Sequence, residues 1–114
     1  MTSFRWIYVT CKNGTEARLL ARMALEKRLA ACANIFPVSS LFWWDGAIRS
    51  ANEVAVVLKT RASLEKRLVS ELEKAHSYTV PCIDSLPLSA MNRSCAGWLL
   101  AQTGGGPSRK PRKK

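Results

Sequence analysis

An α+β sandwich, with two helices laid on one face of a four-stranded antiparallel sheet, is the fold class this sequence predicts. Three observations carry it. Strand-like and helical runs follow one another as strand, helix, strand, strand, helix, strand, helix. A two-residue Asp45-Gly46 turn joins the two middle strands into a hairpin. The remaining connections are short, so consecutive elements must pack on one another.

Each element has its own justification. Phe4-Arg5-Trp6-Ile7-Tyr8-Val9-Thr10 is aromatic and β-branched, which suits a pleated strand. Asn13 followed three residues later by Glu16 is a helix start of capping-box type. The helix is predicted over 15–32, with Ala17, Ala21, Leu25, Leu29 and Cys32 as its apolar stripe and Glu16, Arg18, Arg22, Glu26 and Lys27 outside it. The second strand runs from Asn34 to Trp44. Pro37 has no amide hydrogen and assigns that strand to an edge or a bulge. The third strand, Glu53 to Thr60, is apolar at every position of its Val54–Leu58 centre and is predicted buried on both faces. Ser63 caps a second helix to Ala75, with Leu64, Leu68, Leu72 and Ala75 on its inner side. Prolines at 81 and 87 confine the fourth strand, 81–88, to an edge, and a last helix over 91–102 carries Trp98. The order βαββαβ plus a helix is that of a ferredoxin-like sandwich.

A chain of 114 residues has room for one core. Such a chain buries only about 60–68% of its unfolded surface, which favours association. Phe4, Trp6 and Tyr8 share the strand face away from the helices, and an aromatic face without cover marks a contact surface. Of the eighteen Lys and Arg, five lie in residues 104–114, which hold no acid. The expected division is therefore a folded domain over 1–103 and a flexible basic tail over 104–114, through which contact with a polyanion would be salt-sensitive. Met1 to Val9 is broken by Arg5 and does not read as a secretory leader, and no run approaches a membrane span. Cysteines at 11, 32, 82 and 95 form no CxxC pair, so reduced thiols in the cytoplasm are expected.

Four segments taken together point to a family: Ala30-Ala31-Cys32-Ala33-Asn34-Ile35-Phe36-Pro37, Leu41-Phe42-Trp43-Trp44-Asp45-Gly46, Leu58-Lys59-Thr60 and His76-Ser77-Tyr78-Thr79-Val80-Pro81. From Trp6 to Trp98 the chain resembles the CutA family of divalent-cation-tolerance proteins. The resemblance implies a homotrimer whose sheets pack into a central core, a role in tolerance or response to divalent metal ions, and weak binding of copper or another divalent ion. Copper ligands proposed in one bacterial relative match Cys11 and His76. That pattern has a second histidine where this chain has Ala75. Relatives usually read His-Pro-Tyr and, two residues on, Pro-Glu, whereas this chain has Ser77 for the proline and Cys82 for the carboxylate.

From the residues themselves, a thiolate at Cys11 and an imidazole at His76 suit a soft or borderline ion, with a third ligand still required. Cys82 is a further soft donor that the fold could bring in. A second candidate is an inter-subunit cleft of Trp44, Glu53, Lys59 and Tyr78 beside His76, offering a cation, a carboxylate and flat aromatic faces. There is no nucleophile elbow, no phosphate-binding glycine loop and no pair of histidines at helical spacing, so catalysis is not expected. Two further functions share the topology. One is a PII-like trimer sensing a small molecule, which needs a long loop where Asp45-Gly46 stands. The other is an RNA-binding module, which needs aromatics on the third strand, where Glu53–Lys59 has none.

Overall fold

The structure, a computed structural model, describes residues 3–104, so all of the basic tail but Gly104 lies outside the described residues. Its elements are β1 (Phe4–Cys11), α1 (Gly14–Glu26), β2 (Cys32–Trp44), β3 (Ala47–Arg61), a 3-10 turn (Ala62–Leu64), α2 (Glu65–Ala75), β4 (Ile83–Pro87) and α3 (Arg93–Gln102). The sheet order is β2-β3-β1-β4 with every pair antiparallel, the ferredoxin-like arrangement expected. The proline-bearing strands β2 and β4 are the two edges, where a missing amide costs least.

One sheet face carries the core. Ile7, Val9 and Cys11 of β1 and Val56 and Leu58 of β3 meet Ala17, Leu20, Ala21 and Ala24 of α1 and Leu68 and Leu72 of α2. β3 is central, and Ala55, Val56, Val57 and Leu58 are all buried, as its apolar run predicts. On the other face Trp6 and Leu86 remain partly exposed around a hollow of about 430 Å³, Phe36 is also partly exposed, and the Lys59 ammonium lies 5.3 Å over the Trp6 ring.

The largest departures from the expected boundaries each have a physical reason. α1 stops at Glu26 instead of running to Cys32. Arg28 turns left-handed (φ 60°), its amide bonds Leu25 and the Leu29 amide bonds back to Ala24 at 2.9 Å, a Schellman closure. Glycine usually occupies that position; here the Arg28 guanidinium is tied to the backbone and side-chain oxygens of Gln102 on α3. The buried stripe is accordingly Ala17, Leu20, Ala21 and Ala24, while Leu25 is exposed and Leu29 is buried from the connection beyond the helix. There the Leu29 carbonyl accepts the buried Thr60 hydroxyl at 2.6 Å.

Ser63 does not cap α2. The 3-10 turn leads directly into it, Leu64 stands at its N-cap without a side-chain bond, and Ala75 at its far end is exposed.

β3 begins at Ala47, six residues before the predicted start, and pairs with β2 in unbroken register from Cys32↔Lys59 to Trp44↔Ala47. Asp45 and Gly46 both have positive φ (50° and 73°), as a tight hairpin turn requires. The outer half of this hairpin is an arm that leaves the body: residues 41–50 are all exposed, including Leu41 at 77%, Trp43 at 71% and Ile48 at 63%. The molecule measures 50 × 27 × 22 Å, and its radius of gyration of 15.1 Å exceeds the ~13 Å of a compact domain this size.

Candidate metal centre

Three chain segments converge at the lower end of the sheet. β1 ends on Cys11, α1 starts three residues later, and His76 is the C-cap of α2. Asn13 caps α1 as predicted, its side-chain oxygen accepting the Glu16 amide at 2.9 Å. The return half of a capping box does not form. Glu16 instead accepts the Lys12 amide through Oε1 at 3.2 Å and the Ser77 amide through Oε2 at 2.8 Å. Glu16 is therefore buried, contrary to its expected place outside the apolar stripe. Ligand atoms of Cys11, Glu16 and His76 lie within 4.8 Å of one another, and all three residues are buried.

His76 is held at both nitrogens. Nε2 meets the Thr10 carbonyl at 2.8 Å, and Nδ1 accepts the Tyr78 amide at 3.0 Å. A carbonyl can only accept and an amide can only donate, so the ring is the neutral tautomer with its proton on Nε2. Nδ1 faces Glu16 Oε2 at 4.0 Å. The Tyr78 ring stacks at a tilt on His76, 4.7 Å between centroids, and its hydroxyl donates to Glu53 at 2.7 Å.

Burial, then the carboxylates of Glu16 and Glu53, push the Cys11 thiol up to about 11. Burial alone would also raise Glu16; the Ser77 hydroxyl and amide and the Lys12 amide outweigh it and hold the carboxyl below its ordinary value. Burial and the bond to Glu53 raise the Tyr78 hydroxyl. These shifts fix the alkaline limit of stability. The folded Cys11 value lies above the unfolded one of 9.0, so its contribution is complete below pH 9 and is lost as pH rises through 11. The loss amounts to about 2–3 kcal/mol. Tyr78 adds a loss of the same sign at higher pH. Glu16 acts at the other end, stabilising above its ordinary 4.5 and failing as pH falls through its lowered value. Thermal unfolding from pH 7 upward is expected to show a decline beyond pH 9. Cys11→Ala should flatten it, and an equal decline in that variant would contradict the assignment.

As a donor set, the thiol, carboxylate and imidazole fit a borderline ion. The Nε2–H bond to a backbone carbonyl is the support metal-binding imidazoles ordinarily have. The set is closed by hydrogen bonds, however: an ion must displace the Cys11 proton and the Tyr78 amide.

Cys82, exposed ahead of β4, is not part of the cluster. The four residues of the expected cleft are not together within one chain. Glu53 and Tyr78 bond each other, Lys59 lies six residues along β3 over Trp6, and Trp44 is at the tip of the arm opposite Ala47.

The fold and this cluster define a small ferredoxin-like protein with a buried thiol–carboxylate–imidazole centre. The family model for the CutA1 divalent ion tolerance protein matches residues 5–102. The divalent-cation tolerance protein CutA of Archaeoglobus fulgidus is 42% identical over 94 residues, covering 82% of this chain and 92% of that one. A CutA homolog of Danio rerio is 35% identical over 94 residues, and the chain spans 63% of its length. The solved structure of the periplasmic divalent cation tolerance protein CutA from Archaeoglobus fulgidus superposes with a TM-score of 0.86 at 39% identity, covering 88% of this chain and 98% of that one. The chain belongs to the CutA family.

Proposed function

We infer that this protein is a trimeric, cytoplasmic metal-binding member of its family, taking up copper or another divalent ion weakly through Cys11 and His76 as part of a response to metal excess. The observation that carries the reading is the convergence of Cys11, Glu16 and His76 donors within 4.8 Å. A hollow of about 430 Å³ lies beside it, with Glu16 of the three donors in its lining together with Lys12, Asn13, Leu20 and Ala75. The apolar arm, solvated on both faces in a single chain, supports the trimer. The compartment rests on reduced thiols; no helix among the described residues is long and apolar enough to cross a membrane. The protein acts by binding rather than catalysis, since its one histidine is neutral and held at both nitrogens and the neighbouring thiol is kept protonated. A PII-like sensor is disfavoured by the two-residue turn between β2 and β3, which leaves no long loop.

Mass in solution, measured together with metal content after gentle purification, tests this. A trimer carrying copper or a divalent metal at a fraction of an equivalent is expected. A folded monomer that takes up no ion on titration would refute it.

A further inference from the structure

We propose that Glu16 is the third donor of the centre, making it a site for a borderline divalent ion of the zinc class, and that the Ser77 and Tyr78 amides form a latch the ion must displace. The proposal deepens the metal-binding reading and rests on it. Thiolate and imidazole alone satisfy copper(I), which accepts few and soft donors. Zinc in an open site takes three protein ligands and a water, and sulfur, nitrogen and carboxylate oxygen are all suitable. Glu16 supplies that carboxylate. It is the acid whose ligand oxygen lies within 4.8 Å of both the Cys11 sulfur and a His76 nitrogen, and it is buried with them.

The ring orientation says which nitrogen coordinates. Nε2 is committed to the Thr10 carbonyl at 2.8 Å, and Nδ1 faces Glu16, 4.0 Å from Oε2. Coordination at Nδ1 therefore leaves the Thr10 bond intact as outer support and removes the Tyr78 amide, 3.0 Å away. Glu16 is restrained from the same loop, because Ser77, the residue before Tyr78, donates its amide to Oε2 at 2.8 Å. Two successive amides of the loop after α2 thus hold two of the three donors in their metal-free positions. Binding must release them together, along with one proton from Cys11.

The latch can be cut without touching a ligand. Proline at 77 has no amide hydrogen to give Glu16. It also demands an extended residue before it, and His76 already has φ −74° and ψ 142°. The residue before position 77 therefore already has the conformation that a proline there requires.

Zinc titration of the full chain, with cobalt(II) as the spectroscopic probe of thiolate coordination, decides the matter at one fixed pH. Wild type, Glu16→Gln, Ser77→Pro and Cys11→Ser are compared, with copper(I) measured in parallel. Glu16→Gln is expected to weaken zinc binding about 10–100-fold while changing copper(I) by less than about threefold. Ser77→Pro is expected to tighten zinc about five- to thirtyfold, the worth of the amide and hydroxyl bonds it releases from Glu16. Cys11→Ser should abolish the cobalt–thiolate absorption. Unchanged zinc affinity in Glu16→Gln, with Cys11→Ser defective, overturns Glu16 as a ligand and leaves the underlying site standing. Unchanged affinity in Cys11→Ser overturns the site itself. Should Glu16→Gln fail to fold, Ser77→Pro still decides: a folded Ser77→Pro chain that binds zinc no more tightly than wild type overturns the proposal.

Discussion

Cys11→Ser is expected to cost at least about a hundredfold in copper(I) affinity, more than any other single change at the centre. The thiolate is the softest donor available, and a buried hydroxyl neither ionises at neutral pH nor matches copper(I) in softness. His76→Ala should weaken binding less, since it removes the harder of the two donors. Ala75→His should strengthen it: position 75 adjoins His76 and borders the hollow that Glu16 also lines, so a second imidazole there has room. Binding of every ion should also weaken as pH falls, because each bound ion displaces the Cys11 proton. A purely structural Cys11 makes a different set of expectations, with copper affinity unchanged in all three variants and stability lost in Cys11→Ser alone. Parallel titrations with folding checked by circular dichroism separate the two, and Cys11→Ala serves where serine fails to fold.

The two halves of this centre were legible to different degrees. Cys11 and His76 stand at the ends of elements that periodicity and propensity identify, so a sandwich topology brings them together. Glu16 was read only as a helix-start residue, which it is. Its second role depends on the loop after α2 folding back onto the first turn of α1, a contact 61 residues apart in sequence that no local pattern encodes. The available signal was a carboxylate in the first helical turn, five residues beyond a strand-terminal cysteine.

The same division runs through the fold. Aromatic and β-branched content revealed β1, Asp45-Gly46 revealed the hairpin, and the prolines revealed the edges. The end of α1 was hidden because arginine, not glycine, takes the left-handed turn, its strain offset by bonds to α3 that are invisible from the sequence around it. The start of β3 was hidden because Arg49-Ser50-Ala51-Asn52 has weak strand propensity. Its pairing follows from the register set by the hairpin turn, which places it opposite Phe42, Leu41, Ser40 and Ser39.

Trp43→Asp is expected to convert the assembly into folded monomers. Leu41 and Trp43 lie on one face of the arm at period two, and Ile48 joins them as the cross-strand partner of Trp43. The three are 77%, 71% and 63% exposed, on an element that projects from the body. Fully covering three such side chains is worth roughly 5–8 kcal/mol per subunit. A lone chain whose small core is only marginally stabilising has reason to use that surface against its neighbours. Removing a tryptophan anchor from an interface typically costs 2 kcal/mol or more, about thirtyfold per contact, and a closed ring of three contacts compounds the loss. Leu41, Trp43 and Ile48 all lie on the exposed arm, beyond the core packed on the sheet base, so Trp43→Asp should leave the far-ultraviolet spectrum native. Two measurements check this. Light scattering should report a trimer for wild type at micromolar concentration and a monomer for Trp43→Asp. Thermal unfolding of wild type should shift upward with protein concentration, as linkage of folding to association requires, and that dependence should vanish in the variant. An exposed control outside the arm, Ser89→Asp, should remain trimeric. A Trp43→Asp chain that keeps the wild-type mass would place the subunit contacts elsewhere and leave the exposed arm without a purpose in assembly.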